Sequence, residues 1–279
     1  MSNWLLGIVL GIVQGISEWL PISSKTQIII SSNLLFGLPF REGYALGLFL
    51  EAGTFIAAVY YFRKEVWRVL RALVGRGDEE GKLLLKYLVV VTVLTAVVGV
   101  FIYATVSETA TGPVLGVPMI ALGCILIGDG IVITIAKGRF VPTKALRDLT
   151  VRDLVIVGIV QGIAALPGVS RSGVTVSALL LLGVNPQDSF KLSFLALIPA
   201  SAGATGVTVV LTRPDISGAI ASVTTPVVLV AIVVSVAIGI TFIGVLLRAA
   251  GSRRISLLTV SLGVIAILSG VASLLSGAG

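Results

Sequence analysis

The hexapeptide Gly-Ile-Val-Gln-Gly-Ile occurs twice in this chain, at residues 11–16 and again at residues 158–163. The first copy leads into Trp-Leu-Pro-Ile-Ser-Ser at residues 19–24, and the second leads into Leu-Pro-Gly-Val-Ser-Arg-Ser at residues 166–172. In both places a proline and polar residues interrupt a long apolar stretch. This arrangement predicts two helices that each break halfway, and the match between the copies indicates an internal repeat.

The composition indicates a protein that lies in lipid. Of the 279 residues, 56% are hydrophobic and 12% are charged, and the mean hydropathy is +1.11. Soluble domains carry about 25% charged residues. The net charge of +7 does not indicate a nucleic-acid-binding protein, because the basic residues lie in loops between apolar runs. The chain has no polar stretch long enough for a soluble domain, so we interpret residues 1–279 as a single membrane domain.

Six apolar stretches are long enough to cross a bilayer, which takes roughly 20 residues. They lie at about residues 43–62, 84–104, 113–136, 189–212, 226–247 and 255–276. Residues 4–38 and 152–184 are also apolar, but each is broken at its proline. Two half-length helices are typical of a re-entrant hairpin, which enters the membrane, turns and leaves on the same side.

The basic residues predict how the chain is oriented. They cluster around three connections: Arg63, Lys64, Arg68, Arg71, Arg76, Lys82 and Lys86; Lys137, Arg139, Lys144, Arg147 and Arg152; and Arg248, Arg253 and Arg254. The positive-inside rule places these connections in the cytoplasm of a cell-membrane protein. Both termini are then outside, the first hairpin enters from outside and the second enters from the cytoplasm.

Together these features predict the fold. It is an all-α integral membrane protein with six transmembrane helices and two re-entrant hairpins. Residues 1–136 form one repeat, with the hairpin at 4–38, and residues 152–279 form the other, with the hairpin at 152–184. Each repeat contains three spans, and an odd number inserts the second copy upside down. Such inverted repeats place a site near the midplane, where broken helices meet.

The two breaks carry the polar residues that could form this site. Gln14 and Glu18 are four residues apart and share one helix face. Ser23 and Ser24 follow Pro21 at the start of the next half-helix, and the second break provides Ser170, Arg171 and Ser172. Two helix N-termini with free N–H groups, together with an arginine, favour an anion such as phosphate. A carboxylate beside them suits a metal ligand or a base.

Structural roles for the same residues stay open at this point. Ionisable groups in hydrocarbon must be paired, hydrated or functional, since their insertion costs roughly 2.5–3.5 kcal/mol each. Glu18 and Arg171 could be a purely structural ion pair, and Ser23 could only satisfy backbone groups at a kink. Glu51 lies within a predicted span, where it is either functional or a buried acid paired with Lys25 or a serine.

Residues 14–24, Gln-Gly-Ile-Ser-Glu-Trp-Leu-Pro-Ile-Ser-Ser, and residues 167–175, Pro-Gly-Val-Ser-Arg-Ser-Gly-Val-Thr, resemble a known pair of motifs. They are similar to the signatures of the undecaprenyl-pyrophosphate phosphatase family of the bacitracin-resistance type. The first signature is Glu or Gln, three residues, Glu, and then Leu-Pro-x-Ser-Ser. The second is Pro-Gly-x-Ser-Arg-Ser. The resemblance extends over nearly the whole chain.

The resemblance implies an enzyme of cell-envelope lipid recycling. Its reaction is the hydrolysis of undecaprenyl pyrophosphate, or a similar long-chain isoprenyl pyrophosphate, to the monophosphate carrier lipid. By position, Glu18, Ser24 and Arg171 match the catalytic residues. The resemblance and the break motifs together predict substrate-binding residues at Gln14, Ser23, Lys25, Gln27, Ser170, Ser172 and Thr175. Glu18 and Glu51 are the predicted ligands of a divalent cation, Mg²⁺ or Ca²⁺.

One departure from the family pattern bears on the mechanism. After Ser-Ser the family usually has x-Gly-His, whereas this chain has Lys25, Thr26 and Gln27 and contains no histidine. An imidazole acid or base is therefore absent, and Glu18 becomes the predicted base. A carrier-lipid translocase on the same scaffold and an ion-coupled small-solute transporter remain alternatives. The expected partners are the pyrophosphate lipid and membrane lipid, without nucleic acid, and a homodimer is compatible with the sequence.

Overall fold

A computed structural model describes residues 3–109, 116–135, 143–166, 169–211, 217–218, 220–221, 223–250 and 255–275. Over these residues the chain is folded into helices, which confirms the predicted all-helical class. The helices are α1 (Asn3–Ser17), α2 (Ser24–Phe36), α3 (Phe40–Tyr61), α4 (Arg63–Leu73), α5 (Glu79–Thr109), α6 (Gly116–Ile135), α7 (Val151–Ile163), α8 (Arg171–Leu181), α9 (Pro186–Leu211), α10 (Thr225–Ala250) and α11 (Ile255–Leu275).

The helices have the length and composition of a membrane protein. Three segments are long and apolar enough to cross a bilayer: Glu42–Tyr61, Glu79–Ile102 and Thr225–Ala250. Shorter apolar helices lie at Trp4–Ser17, Met119–Gly128, Arg171–Leu181 and Val260–Leu275. The ends of three predicted spans, at 113–115, 136, 212 and 276, lie outside the described residues, as do Lys137, Arg139, Arg253 and Arg254.

Both predicted breaks are present between short helices. The first break separates α1, with 15 residues, from α2, with 13. The second separates α7, with 13 residues, from α8, with 11. At 1.5 Å per residue, each of these helices covers roughly half or two thirds of the hydrocarbon thickness. Pro167 and Gly168 of the second break lie outside the described residues.

The glycines of the repeated hexapeptide allow each first half-helix to press against a long helix. A β-carbon on Gly11 would lie 2.6 Å from the carbonyl oxygen of Ala231 in α10. A β-carbon on Gly162 would lie 2.5 Å from the β-carbon of Val98 in α5. Gly15 and Gly158 are equally close to their neighbours. The hexapeptide is thus a packing surface that brings α1 onto α10 and α7 onto α5.

We expect Gly11→Ala to destabilise the protein by about 1–3 kcal/mol, because the added methyl group has no room beside Ala231 and Val234. Gly128→Ala is the matched control, since open space surrounds a β-carbon at Gly128 and alanine is the better helix former. Thermal unfolding in detergent should show a lower midpoint for Gly11→Ala only. An unchanged or higher midpoint for Gly11→Ala would contradict the close approach of α1 and α10.

Candidate active site

Glu18 connects the two breaks. It follows the last turn of α1, and its buried carboxylate accepts hydrogen bonds at both oxygens. Oε2 accepts from Gln14 Nε2 at 3.0 Å and from Ser24 Oγ at 2.6 Å. Oε1 accepts from Nη2 of Arg171, the first residue of α8. A carboxylate of the first hairpin therefore pairs directly with the arginine of the second.

Arg171, at the start of α8, contacts residues at the end of α1, in α3 and in α9. Its side chain is 9% exposed, and Nη2 also donates to Glu51 Oε2 at 3.3 Å and to Ser201 Oγ at 3.0 Å. Its buried Nε has no acceptor among the described residues. A buried donor without an acceptor costs about 1–3 kcal/mol. The guanidinium therefore keeps a donor for an anionic ligand while its other end is held by the protein.

A second ion pair lies directly beside the first. Glu51, in the middle of α3, is fully buried, and its Oε1 lies 3.0 Å from Nζ of Lys25. The cluster of Glu18, Glu51, Arg171 and Lys25 thus contains two carboxylates and two cations. The structure therefore pairs Glu18 with Arg171 and Glu51 with both Lys25 and Arg171, and the net charge of this cluster is zero. Such a balance lowers the cost of keeping charge away from water, whereas removal of one member would leave its partner uncompensated.

The N-terminus of α2 is available to an anion. Ser23 has a φ of 52°, which is unusual for a residue with a side chain, and its hydroxyl does not cap the helix. The first helical bond runs from the N–H of Gln27 to the carbonyl of Ser23. The N–H groups of Ser24, Lys25 and Thr26 precede that bond and have no partner from the helix itself. In α8, by contrast, the Ser170 hydroxyl accepts from the N–H of Gly173 at 3.3 Å.

Ser170 and Ser172 join the second break to the first. The Ser170 hydroxyl donates to the carbonyl of Leu20 at 3.1 Å. The Ser172 hydroxyl lies 3.2 Å from the carbonyl of Glu18 and 3.1 Å from that of Leu20. These carbonyls follow the end of α1, where a broken helix leaves acceptors without N–H donors. In this structure both serines bind the first hairpin, and their role in substrate binding stays a prediction.

The remaining predicted substrate-binding residues lie around the cluster. Thr175 is buried and donates to the carbonyl of Arg171 at 2.7 Å, and its hydroxyl also lies 3.2 Å from Gln161 Oε1. Gln27, which replaces the family's histidine, donates from Nε2 to the carbonyl of Ile22 at 3.2 Å. Both residues thus support the backbone of the breaks.

Sequence reasoning missed Ser201, which accepts a hydrogen bond from Arg171 and is fully buried. Ser201 follows Pro199, which lies inside α9 and cannot donate an N–H to the preceding turn. A polar residue two positions after a proline within an apolar span is the signal that could have indicated it.

A cavity of about 270 Å³ opens beside the charged cluster. Lys25 and Arg171 line its polar end. The rest of the lining is mostly small and apolar, with Leu48, Ala96, Gly99, Val100, Ala200 and Gly203, and also includes Tyr44, Thr92, Thr95 and Gln161. A β-carbon on Gly203 would meet nothing within 4 Å, so this wall is thin. The cavity therefore suits a ligand with an anionic head and an apolar chain.

The donor set is compatible with a hard cation at Glu18. Gln14 is fully buried, and its Oε1 has no donor among the described residues. A carboxylate and an amide oxygen are ligands that Mg²⁺ and Ca²⁺ accept. Glu18 and Glu51 stay predicted ligands, although hydrogen bonds and ion pairs occupy both oxygens of each carboxylate in this structure. Among the described residues there is no group of three or more His, Cys, Asp and Glu residues that could hold a metal ion.

Comparison with known proteins decides the family. A model of the bacitracin resistance protein BacA matches residues 7–268. This chain belongs to the BacA family. It is 52% identical over 274 residues to an undecaprenyl-diphosphatase of Saccharolobus solfataricus, with 98% of each chain covered. It is 43% identical over 276 residues to the protein of that name from Sulfurisphaera tokodaii, with 98% of this chain and 99% of that one covered. The corresponding protein of Pyrobaculum aerophilum is 42% identical over 265 residues, with 94% and 96% covered.

Loss of the Ser172 hydroxyl should loosen the contact between the breaks. We expect Ser172→Ala to cost about 1–2 kcal/mol of stability, because the Glu18 carbonyl loses its donor in a buried position. Ser177→Ala is the matched control on the same helix, since the buried Ser177 hydroxyl has no partner among the described residues. Thermal unfolding in detergent should separate the two variants. Equal midpoints for both would show that the hydroxyl of Ser172 does not hold the first break.

Proposed function

We propose that this protein hydrolyses undecaprenyl pyrophosphate, or a similar long-chain isoprenyl pyrophosphate, to the monophosphate carrier lipid and phosphate. The observation that carries the proposal is Arg171, which lines an apolar cavity together with Lys25 and whose Nε has no acceptor among the described residues. The names of the BacA relatives, undecaprenyl-diphosphatases at up to 52% identity, support the same reaction.

The pyrophosphate would bind where positive charge and free N–H groups converge. Arg171 and Lys25 supply the cations, and the N–H groups of Ser24, Lys25 and Thr26 add donors at the N-terminus of α2. An arginine can bind two phosphate oxygens at once. The isoprenyl chain then extends along the apolar wall formed by α5 and α9.

Glu18 and Ser24 would perform the chemistry. Glu18 Oε2, 2.6 Å from Ser24 Oγ, can accept the serine proton as Oγ attacks the terminal phosphorus. The P–O bond to the inner phosphate breaks, the lipid monophosphate leaves, and water then hydrolyses the phosphoserine. In the alternative route Ser24 orients a water molecule, which loses its proton to Glu18 and attacks the phosphorus directly. Both routes consume one water molecule and need no imidazole.

We further propose a divalent cation, Mg²⁺ or Ca²⁺, as cofactor. Glu18 would hold it together with the amide oxygen of Gln14, and Glu51 is the second predicted carboxylate. A bound divalent cation offsets the negative charge that develops on the leaving phosphate.

The finer membrane arrangement is part of this proposal: six spans, two re-entrant hairpins, and repeats at residues 1–136 and 152–279. Its support is the reciprocal packing of α1 on α10, α7 on α5, and α6 on α11. Residues that follow the second hairpin also contact two of the connections that the basic residues assign to the cytoplasm. Lys191 pairs with Glu65 at 3.0 Å, and Asn185 Nδ2 donates to the carbonyl of Lys144 at 3.1 Å. A cell-membrane location with both termini outside follows from that arrangement, and a homodimer remains compatible with it.

Within this arrangement the site faces outwards. The cavity is lined by Tyr44 and Leu48 from the first half of α3, by Val100 from the second half of α5, and by Gly203 from the second half of α9. In the proposed topology all three segments lie in the outer half of the bilayer. The enzyme would therefore act on carrier lipid released in the outer leaflet.

Phosphate release from a long-chain isoprenyl pyrophosphate by the purified protein tests the function. We expect turnover that depends on a divalent cation and falls at least about 100-fold in Arg171→Gln and Glu18→Gln, which lose the phosphate-binding cation and the base. The Ser24→Ala variant separates the routes, because near-normal turnover would exclude the covalent one. No release by the wild-type protein with any cation would contradict hydrolysis and favour translocation.

Labelling of a cysteine at Ala96 tests which side the cavity faces. Ala96 is a suitable reporter because it is exposed and lines the cavity. In a Cys124→Ser background, an impermeant thiol reagent should modify Ala96→Cys only from outside, and methylene bisphosphonate should slow the reaction. Modification only from the cytoplasmic side would overturn the outward-facing assignment.

A further inference from the structure

Helix α4, which the proposed reaction does not use, has one basic side and one apolar side. Lys64, Arg68 and Arg71 are four and three residues apart in turn, which places them along one face. Apart from Arg63, Glu65 and Ala72, the rest of the helix carries large apolar side chains. Four apolar side chains on α4 or directly after it are 47 to 67% exposed: Trp67, Leu70, Leu73 and Val74. This pattern is typical of a helix that lies in a membrane surface.

The acidic residues near α4 are already paired within the protein. Glu65 lies 3.0 Å from Lys191 of α9. Asp78 and Glu80 both pair with Arg68, and Glu79 pairs with Lys82 at 2.7 Å. Four basic residues of this segment are exposed and have no carboxylate partner among the described residues: Arg63, Lys64, Arg71 and Arg76. Arg63 instead donates to the carbonyl of Tyr60 at 3.1 Å and lies over the Tyr60 ring, which leaves Lys64, Arg71 and Arg76. The uncompensated charge of the segment is therefore positive and is concentrated on these three residues.

The apolar side of α4 continues into the lipid-facing surface of α5. Val66, Val69 and Leu70 line a wholly apolar crevice together with Val89 and Val93 of α5. Residues 79–102 of α5 form a candidate membrane span, so the medium next to this crevice is lipid. The exposed apolar residues of α4 thus point to a bilayer and not to a soluble partner.

We propose that α4 lies in the bilayer surface and that Lys64, Arg71 and Arg76 bind the headgroups of anionic phospholipids. The apolar side of the helix inserts among the acyl chains, and Trp67 lies at the headgroup level, where tryptophan is enriched. Each basic residue near an anionic surface strengthens binding by about fivefold. The Glu65–Lys191 pair connects this lipid-binding helix to α9, which carries Ser201.

Quenching of Trp67 in nanodiscs tests the proposal with the full-length protein. Brominated phosphatidylglycerol and brominated phosphatidylcholine are compared at equal mole fractions, and Trp67→Phe supplies the background from Trp4 and Trp19. We expect Trp67 to be quenched by both lipids, with a preference of at least about fivefold for phosphatidylglycerol, the contribution of one basic residue. The variant with Lys64→Gln, Arg71→Gln and Arg76→Gln should lose the preference and keep quenching by phosphatidylcholine.

The control variant neutralises three basic residues of a different connection, with Lys144→Gln, Arg147→Gln and Arg152→Gln, and should keep the preference. Equal quenching of the wild-type protein by the two lipids would overturn headgroup binding. If neither lipid quenches Trp67, α4 does not lie in the bilayer surface and the proposal is wrong. Loss of the preference in the control variant would assign it to the overall charge of the protein, which also contradicts the proposal.

Discussion

Arg171 and Glu18 are 153 positions apart in the chain, yet they form a buried ion pair at the point where both half-helix pairs break. An isolated charge buried at this position would cost several kcal/mol, and so each side chain needs the other as its partner. The two breaks are therefore constrained to meet. Glu51 and Lys25 extend the pair into a balanced cluster, and the hydroxyls of Ser170 and Ser172 satisfy the carbonyls that the first break exposes.

The same arrangement leaves hydrogen-bond donors at the proposed site without protein acceptors among the described residues. Nη2 of Arg171 is held by two carboxylates and Ser201, whereas its Nε remains unpartnered. The N-terminus of α2 also lacks a side-chain cap, while that of α8 has one. Protein contacts thus occupy one side of the cluster and leave the donors of the other side to a ligand. In the proposed site, the phosphate would thus meet Arg171 from the second hairpin and the uncapped N-terminus of α2 from the first.

Much of the fold could be predicted from local pattern. The prolines, the half-length apolar runs and the repeated hexapeptide indicated two broken helices, and the structure has helices that end at Ser17 and Ile163. The candidate residues Gln14, Glu18 and Ser24 follow from spacing within one hairpin. The position of Ser201 near Pro199 could mark it as a candidate, but its contact with Arg171 could not be predicted, because that contact depends on how α9 packs against α8. The same holds for Ser172, whose hydroxyl could serve a ligand or a carbonyl until the facing backbone is known.

The glycine contacts of the hexapeptide have a consequence for how the protein is made. Helix α1 packs on α10, and α7 packs on α5, so the first half-helix of each break depends on a helix from the other half of the chain. During synthesis α1 cannot make this contact until residues 225–250 have left the ribosome. Until then its glycine face can contact only lipid. A half-length chain would lack these surfaces altogether. If the gene arose by duplication, an ancestral half-length chain would have needed a second copy of itself to supply these surfaces.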